Sequence, residues 1–281
     1  VNWIERIMSF FSRYIRGATF AGAVAFFLVA GSSSPAATPE WQVVKGKHFL
    51  VYYSTNSAFA EKVSSKAEEY YSGIASELGF EKADNFWLWD KRVKIYIYSS
   101  RDGFANATGA PDWATGKAVT SRREIHTFSG DNSFTESVLP HEMTHLIFRE
   151  FTGFKEEVPL WLNEGLAQWE EPAKRKELVR IARDMVARNR YIPLPAMTSV
   201  DVKKLVAAGN PGEFYAQAAS LVGYLIEKHG SERFRKLCGK LRDGKAMDDS
   251  LRFAYPDTIR NIDDLEKAWK KYIVEQQEAG K

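Results

Sequence analysis

One cysteine in 281 residues, Cys238, excludes an internal disulfide, so the chain must hold its fold by packing and by whatever a metal adds. Its setting, FRKLCGK at a helix end by pattern, suits a small buried apolar residue rather than a nucleophile. Charge of one sign is lacking too. Lys and Arg number 39 against 36 Asp and Glu, and part of that excess is Arg6, Arg13 and Arg16 near the start. A body this close to neutral gives no electrostatic footing for nucleic acid as a main partner. GxSxG, P-loop and dinucleotide fingerprints are missing, as are internal repeats.

Long apolar runs are equally scarce. The longest, Gly17 to Gly31, is rich in Gly and Ala, follows the basic stretch RYIR and precedes the small residues SSSPAA. It is short for a membrane span and has the order of a secretory signal. The expectation is a signal peptide over residues 1–36, cut after Ala36 with Ser34 and Ala36 at the small-residue positions, or else retained as an anchor. LVAGS at the end of the run lacks the cysteine that would accept a lipid. Residues 37–281 are then an exported domain, periplasmic or extracellular.

Strands and helices share the first half of that domain. WQVVKGKHFLVYYS carries a strand around Phe49 to Tyr53, RVKIYIYSS another, and AVTSRREIHTF one or two more. Between them Phe59, Val63, Ala67, Tyr70, Ile74 and Leu78 recur at helical spacing, which predicts a helix from Ser57 to Leu78 with Gly79 as its stop. Beyond Asn132 the pattern is helical over roughly 134–151, 157–171, 174–190, 213–229, 231–242 and 261–277, broken by PLPAM and GNPGE. This is an α+β layout: a small mixed sheet with helices over 37–130, then a mainly helical half over 131–281.

LPHEMTHLIF lies in the first of those later helices. Positions four apart on an α-helix lie about 400° round and about 6 Å along the axis, so His141 and His145 leave one face and can share one cation. Zinc chemistry needs a third protein ligand and an open position. Glu164 supplies the third, eighteen residues lying between it and His145, within PLWLNEGLAQWEE on a second apolar helix. Glu142 points about 100° away from His141, too far round for a ligand but placed to act as a general base. Upstream, Ser133 with Glu136 reads as a capping box, and Ser137 as an alternative cap that would leave Pro140 in the first turn.

The HExxH, the spacing and WLNEG together resemble the gluzincin metallopeptidases. The likeness is to the zinc signature of the aminopeptidase N family and, more closely, to the shorter peptidase MA-like domains of bacteria. That resemblance implies a zincin-like fold, one zinc ion held by His141, His145 and Glu164, Glu142 as base, and a peptide or protein substrate. It also implies a downstream Tyr or His that donates to an oxyanion, for which Tyr215 in EFYAQAASLVGYLIEKHG is the candidate, against its plain reading as a packing residue. No GxMEN-like stretch precedes the histidine helix, so an endopeptidase is expected rather than an aminopeptidase. REIHTF is expected as the edge strand that holds an extended peptide.

Other residues have bland readings. His126 reads as a surface histidine, and His48 and His229 lack ligand spacing. Gln168, one turn after Glu164, is either an outer partner of a ligand histidine or an exposed amide. NFWLWD reads as core packing. Lys174 to Arg190 reads as a solvated basic face, with attachment to an anionic membrane as the minority reading. A zincin-fold scaffold that cleaves nothing, or a zinc hydrolase of non-peptide amides, remain as other classes.

Overall fold

A computed structural model describes residues 40–78, 87–110, 114–130, 133–153, 158–199 and 211–278. The expected signal or anchor segment and the Gly79 stop lie outside them. Five strands form one sheet: β1 Gln42–Lys45, β2 Phe49–Tyr53, β3 Val93–Tyr98, β4 Gly116–Val119 and β5 Glu124–Phe128, in the order β1-β2-β3-β5-β4. β2, β3 and β5 run parallel, while β1 and β4 pair antiparallel on the two edges. The α+β class stands: the sheet is mixed, and the chain after it is helical.

At the β1–β2 turn a Cβ on Gly46 would meet Glu68 Oε1 at 2.6 Å, so a side chain there would displace that carboxylate. That carboxylate closes the turn by accepting from His48 N at 2.8 Å and pairing with His48 Nδ1 at 2.6 Å. His48 is thus a structural residue. Alternation sends Phe49, Val51, Val93, Ile95, Ile97 and Ile125 inward, all fully buried. Helix α1, Ser57–Glu77, begins with Asn56 accepting from Phe59 N and packs Phe59, Val63, Ala67 and Ile74 into the same core.

Ten helices are described. They are α1, α2 (Arg101–Thr108), α3 (Leu139–Thr152), α4 (Leu160–Trp169), α5 (Arg175–Ala187), α6 (Leu194–Met197), α7 (Pro211–His229), α8 (Ser231–Arg242), α9 (Met247–Ala254) and α10 (Ile262–Glu278). No helix among the described residues is long and apolar enough to cross a membrane. α4 and α7 approach almost backbone to backbone. A Cβ on Gly165 would meet the Ala218 carbonyl oxygen at 2.5 Å, and Gly223 makes room for the Trp169 ring. The glycine after Glu164 is therefore what lets that helix seat against its neighbour.

Several expectations change. REIHTF is not an edge: β5 lies between β3 and β4, and Gly116–Val119 takes the rim. Flanked on both sides, His126 is buried rather than on the surface, stacked on Tyr96 with ring centroids 5.0 Å apart. Of NFWLWD, Trp87 is core, but Trp89 is 82% exposed. Neither proposed cap forms before Pro140. Phe134–Val138 is a π turn running into α3, with Leu139 N–H donating to the Phe134 carbonyl. Pro140 lacks an N–H, and its ring crowds the Glu136 carbonyl, so the wider turn relieves both defects. The strand Gln42–Lys45 and the helices Arg101–Thr108 and Met247–Ala254 go beyond the sequence expectation.

Candidate metal centre

α3 carries His141 and His145 on one face, with ring centroids 4.7 Å apart and Nε2 atoms 3.1 Å apart. α4 packs against it and presents Glu164, whose Oε2 lies 4.0 Å from His141 Nε2 and 3.9 Å from His145 Nε2. One donor atom from each of the three residues falls within 4.8 Å of the others, and this is the one His/Cys/Asp/Glu cluster of that kind among the described residues. Ligands about 2 Å from a tetrahedral ion sit about 3.3 Å from one another, so these spacings are those of a set around one cation.

The outer nitrogens say the same. His141 Nδ1 faces Glu171 Oε1 at 2.9 Å, and His145 Nδ1 faces Asn163 Oδ1 at 3.2 Å. Both acceptors place the proton on Nδ1 and turn the Nε2 lone pairs toward each other. Two lone pairs 3.1 Å apart require a proton or a cation between them. For His141 burial opposes the charged ring, but the hydrogen bond and charge of Glu171, aided by Glu142 and Glu164, raise its pKa to about 9. A divalent ion would take the place of that proton.

Glu171 is itself braced. It accepts from Ser137 and pairs with Lys174, and its side chain is 2% exposed. Burial pushes its carboxyl up, yet His141 and then Lys174 hold it below the usual carboxylate range. Neither Glu171 nor Asn163 was expected from the sequence. No spacing signal marks Glu171, which lies past the end of α4 at Trp169. Gln168 does not take the outer role. It is buried, and its Oε1 has no hydrogen-bond partner among the described residues.

Glu142 is placed as expected, beside the triad but outside it. Its Oε2 accepts from Ala118 N at 3.0 Å, which ties the carboxylate to rim strand β4. A cavity of about 440 Å³ opens there, lined by Ala118, Thr120 and Ser121 on one wall, by Glu142, His145 and Arg149 of α3, and by Asn163 and Glu164 of α4. That volume suits a few residues of peptide. Tyr215 is not among the lining residues. It sits on α7 with its ring edge toward Phe214, and burial, then the charge of Glu164, keeps its phenol protonated. His229 pairs with the Tyr224 hydroxyl at 3.0 Å, away from the centre, and Cys238 is fully buried.

Residues 83–275 match the sequence model of the Peptidase MA superfamily, a stretch that takes in β3, β4, β5 and both ligand helices but not β1, β2 or α1. No curated protein matches the chain.

Proposed function

The chain belongs to the Peptidase MA superfamily, and we propose that it is an exported zinc-dependent endopeptidase. The observation that carries this reading is the convergence of His141, His145 and Glu164, with Glu142 beside them at the mouth of the cavity. Three ligands of this kind leave a fourth position for chemistry. A zinc ion held there supplies Lewis acidity toward a water and a carbonyl oxygen.

The remaining work falls to the chain's own groups. The rim of β4 pairs with an extended substrate through main-chain hydrogen bonds. A substrate carbonyl that takes over the Ala118 N–H releases Glu142 Oε2, so peptide binding itself frees the base. Glu142 then accepts the proton of the attacking water and returns it to the departing amine. Tyr215, kept neutral by its surroundings, remains a donor across the working pH range and is assigned to the oxyanion. Asn163 and Glu171 hold the two imidazoles at a fixed angle while this happens. Export is supported by the basic stretch, the apolar run and the small residues ahead of Trp41.

Peptide-library cleavage mapped by mass spectrometry tests this. The zinc-loaded protein should make reproducible internal cuts that a chelator abolishes. Glu142→Gln should keep the metal and lose about 100-fold to 10,000-fold in rate. Full activity in Glu142→Gln, or no metal in protein purified without chelators, refutes the reading, and cuts confined to the first residue of each peptide refute the endopeptidase part.

A further inference from the structure

The face of the sheet turned away from the helical core has a composition of its own. Two rows cross it in register. One runs Val43, Tyr52, Tyr96, His126, Lys117, and the next Lys45, Leu50, Lys94, Glu124, Val119. The rings of Tyr52, Tyr96 and His126 stand parallel across three strands, with centroids 5.0 Å apart at each step and planes within 14° and 13°. Trp41 lies edge-on to Tyr96 and Tyr98 at 5.5 and 5.4 Å. The ladder is closed at the β5 end, where α2 packs Phe104 on Tyr98 and Phe128 and His126 is buried beside the Tyr98 hydroxyl, and open at the β1 end, where Val43 is 38% exposed. Lys45, Lys94 and Arg122 share the face with the carboxylate of Glu124, which Arg122 holds at 2.9 Å, while Lys117 donates to the Thr108 carbonyl at 2.6 Å. On a chain whose total is only +3, this is a concentration of positive charge.

We propose that this face lies on an anionic membrane surface. Trp and Tyr with amphipathic edges, interleaved with Lys, form the composition that settles at the headgroup level of a bilayer. The position along the chain agrees. Eight residues separate Gly31, the end of the apolar run, from Glu40, a span of at most about 28 Å. Trp41 and Val43 of this face therefore lie within reach of that apolar run along the chain. A fifteen-residue run is short for a span, and weak attachments hold stably when a second, basic element joins them. The metal centre lies on the helical side of the sheet, so a docked face leaves the cavity open. The proposal is independent of the peptidase reading.

Nitroxide labels on the full chain test it, one at Val43→Cys and one at Phe253→Cys, an exposed position on α9; Cys238 is fully buried and leaves the labelling selective. On phosphatidylglycerol vesicles the label at 43 should become shielded from an aqueous nickel chelate and exposed to oxygen, while the label at 253 stays in water. Raising salt to about 1 M, where screening acts within about 3 Å, should return the label at 43 to water. Lys45→Glu and Lys94→Glu should each weaken the shielding about fivefold. A label at 43 equally accessible with and without vesicles overturns the proposal, as does equal shielding at both labels or indifference to salt. Stronger shielding by an oligonucleotide than by vesicles assigns the face to nucleic acid and overturns it too.

Discussion

The two imidazoles of the centre are held in different ways. His141 leans on a charged carboxylate that is itself buried and tied to Ser137 and Lys174, whereas His145 leans on the neutral amide of Asn163. One ring is therefore fixed by electrostatics inside the protein and the other by a single dipole at the cavity wall. Charge-assisted hydrogen bonds are roughly twice as strong as neutral ones, and a buried charged partner is costly to disturb. The His141 arm should be the stiff side of the site and the His145 arm the adaptable one, next to the substrate.

Removing the rings themselves should have the largest effect and should erase the contrast. His141→Ala and His145→Ala each leave two ligands, and zinc affinity measured by chelator competition should fall by well over the roughly 100-fold that outer partners command. Next comes Glu171→Gln. It leaves the His141 ligand in place but removes the charge, and affinity should drop toward the upper end of the 10-fold to 100-fold range. Asn163→Ala should cost about 10-fold or less. If Asn163→Ala equals or exceeds Glu171→Gln, the stiff and adaptable assignment is wrong.

Much of this centre was legible from spacing alone, because a helix fixes where residues four apart must point. His141, His145 and Glu142 needed no partner to be oriented, and the NEG glutamate came with a helix whose apolar face declared its packing. Asn163 and Glu171 were not legible, since they matter only through which helix the second one meets; Glu171 also lies past the end of α4, where periodicity stops being a guide. The strand order failed for a related reason. Which strand is the rim depends on pairing between distant segments, and Glu124–Phe128 looks no different in sequence whether β4 covers it or not. His126 was misjudged with it. The π turn before Pro140 was hidden because two plausible serine caps were present, one of which is instead spent on Glu171.

The smallest effect on metal binding should come from the neighbour of Glu171, and it sharpens the comparison by isolating what a partner does for a buried carboxylate. Glu170 and Glu171 are both nearly excluded from water, at 4% and 2% exposure. Glu171 is drawn down by His141 and Lys174, but burial, then the nearby charge of Glu77, raises Glu170 to about 8, with only Arg175 opposing. Its Oε1 has no hydrogen-bond partner among the described residues, and its Oε2 shares the Arg175 guanidinium with Glu77. A carboxyl raised in the folded state binds its proton more tightly folded than unfolded. Its contribution to stability is fully present below about 4.5, the unfolded value, and is lost as pH climbs through about 8. Glu170→Gln cannot ionise, so it should match the parent in acid and exceed it by roughly 2 kcal/mol at pH 9, a fraction of the full linkage since the buried group can relax. Denaturant melts at pH 4 and pH 9 measure this difference. A variant that gains nothing at pH 9 would mean that Arg175 neutralises Glu170 as effectively as His141 and Lys174 neutralise Glu171, and that the two carboxylates differ in position but not in charge.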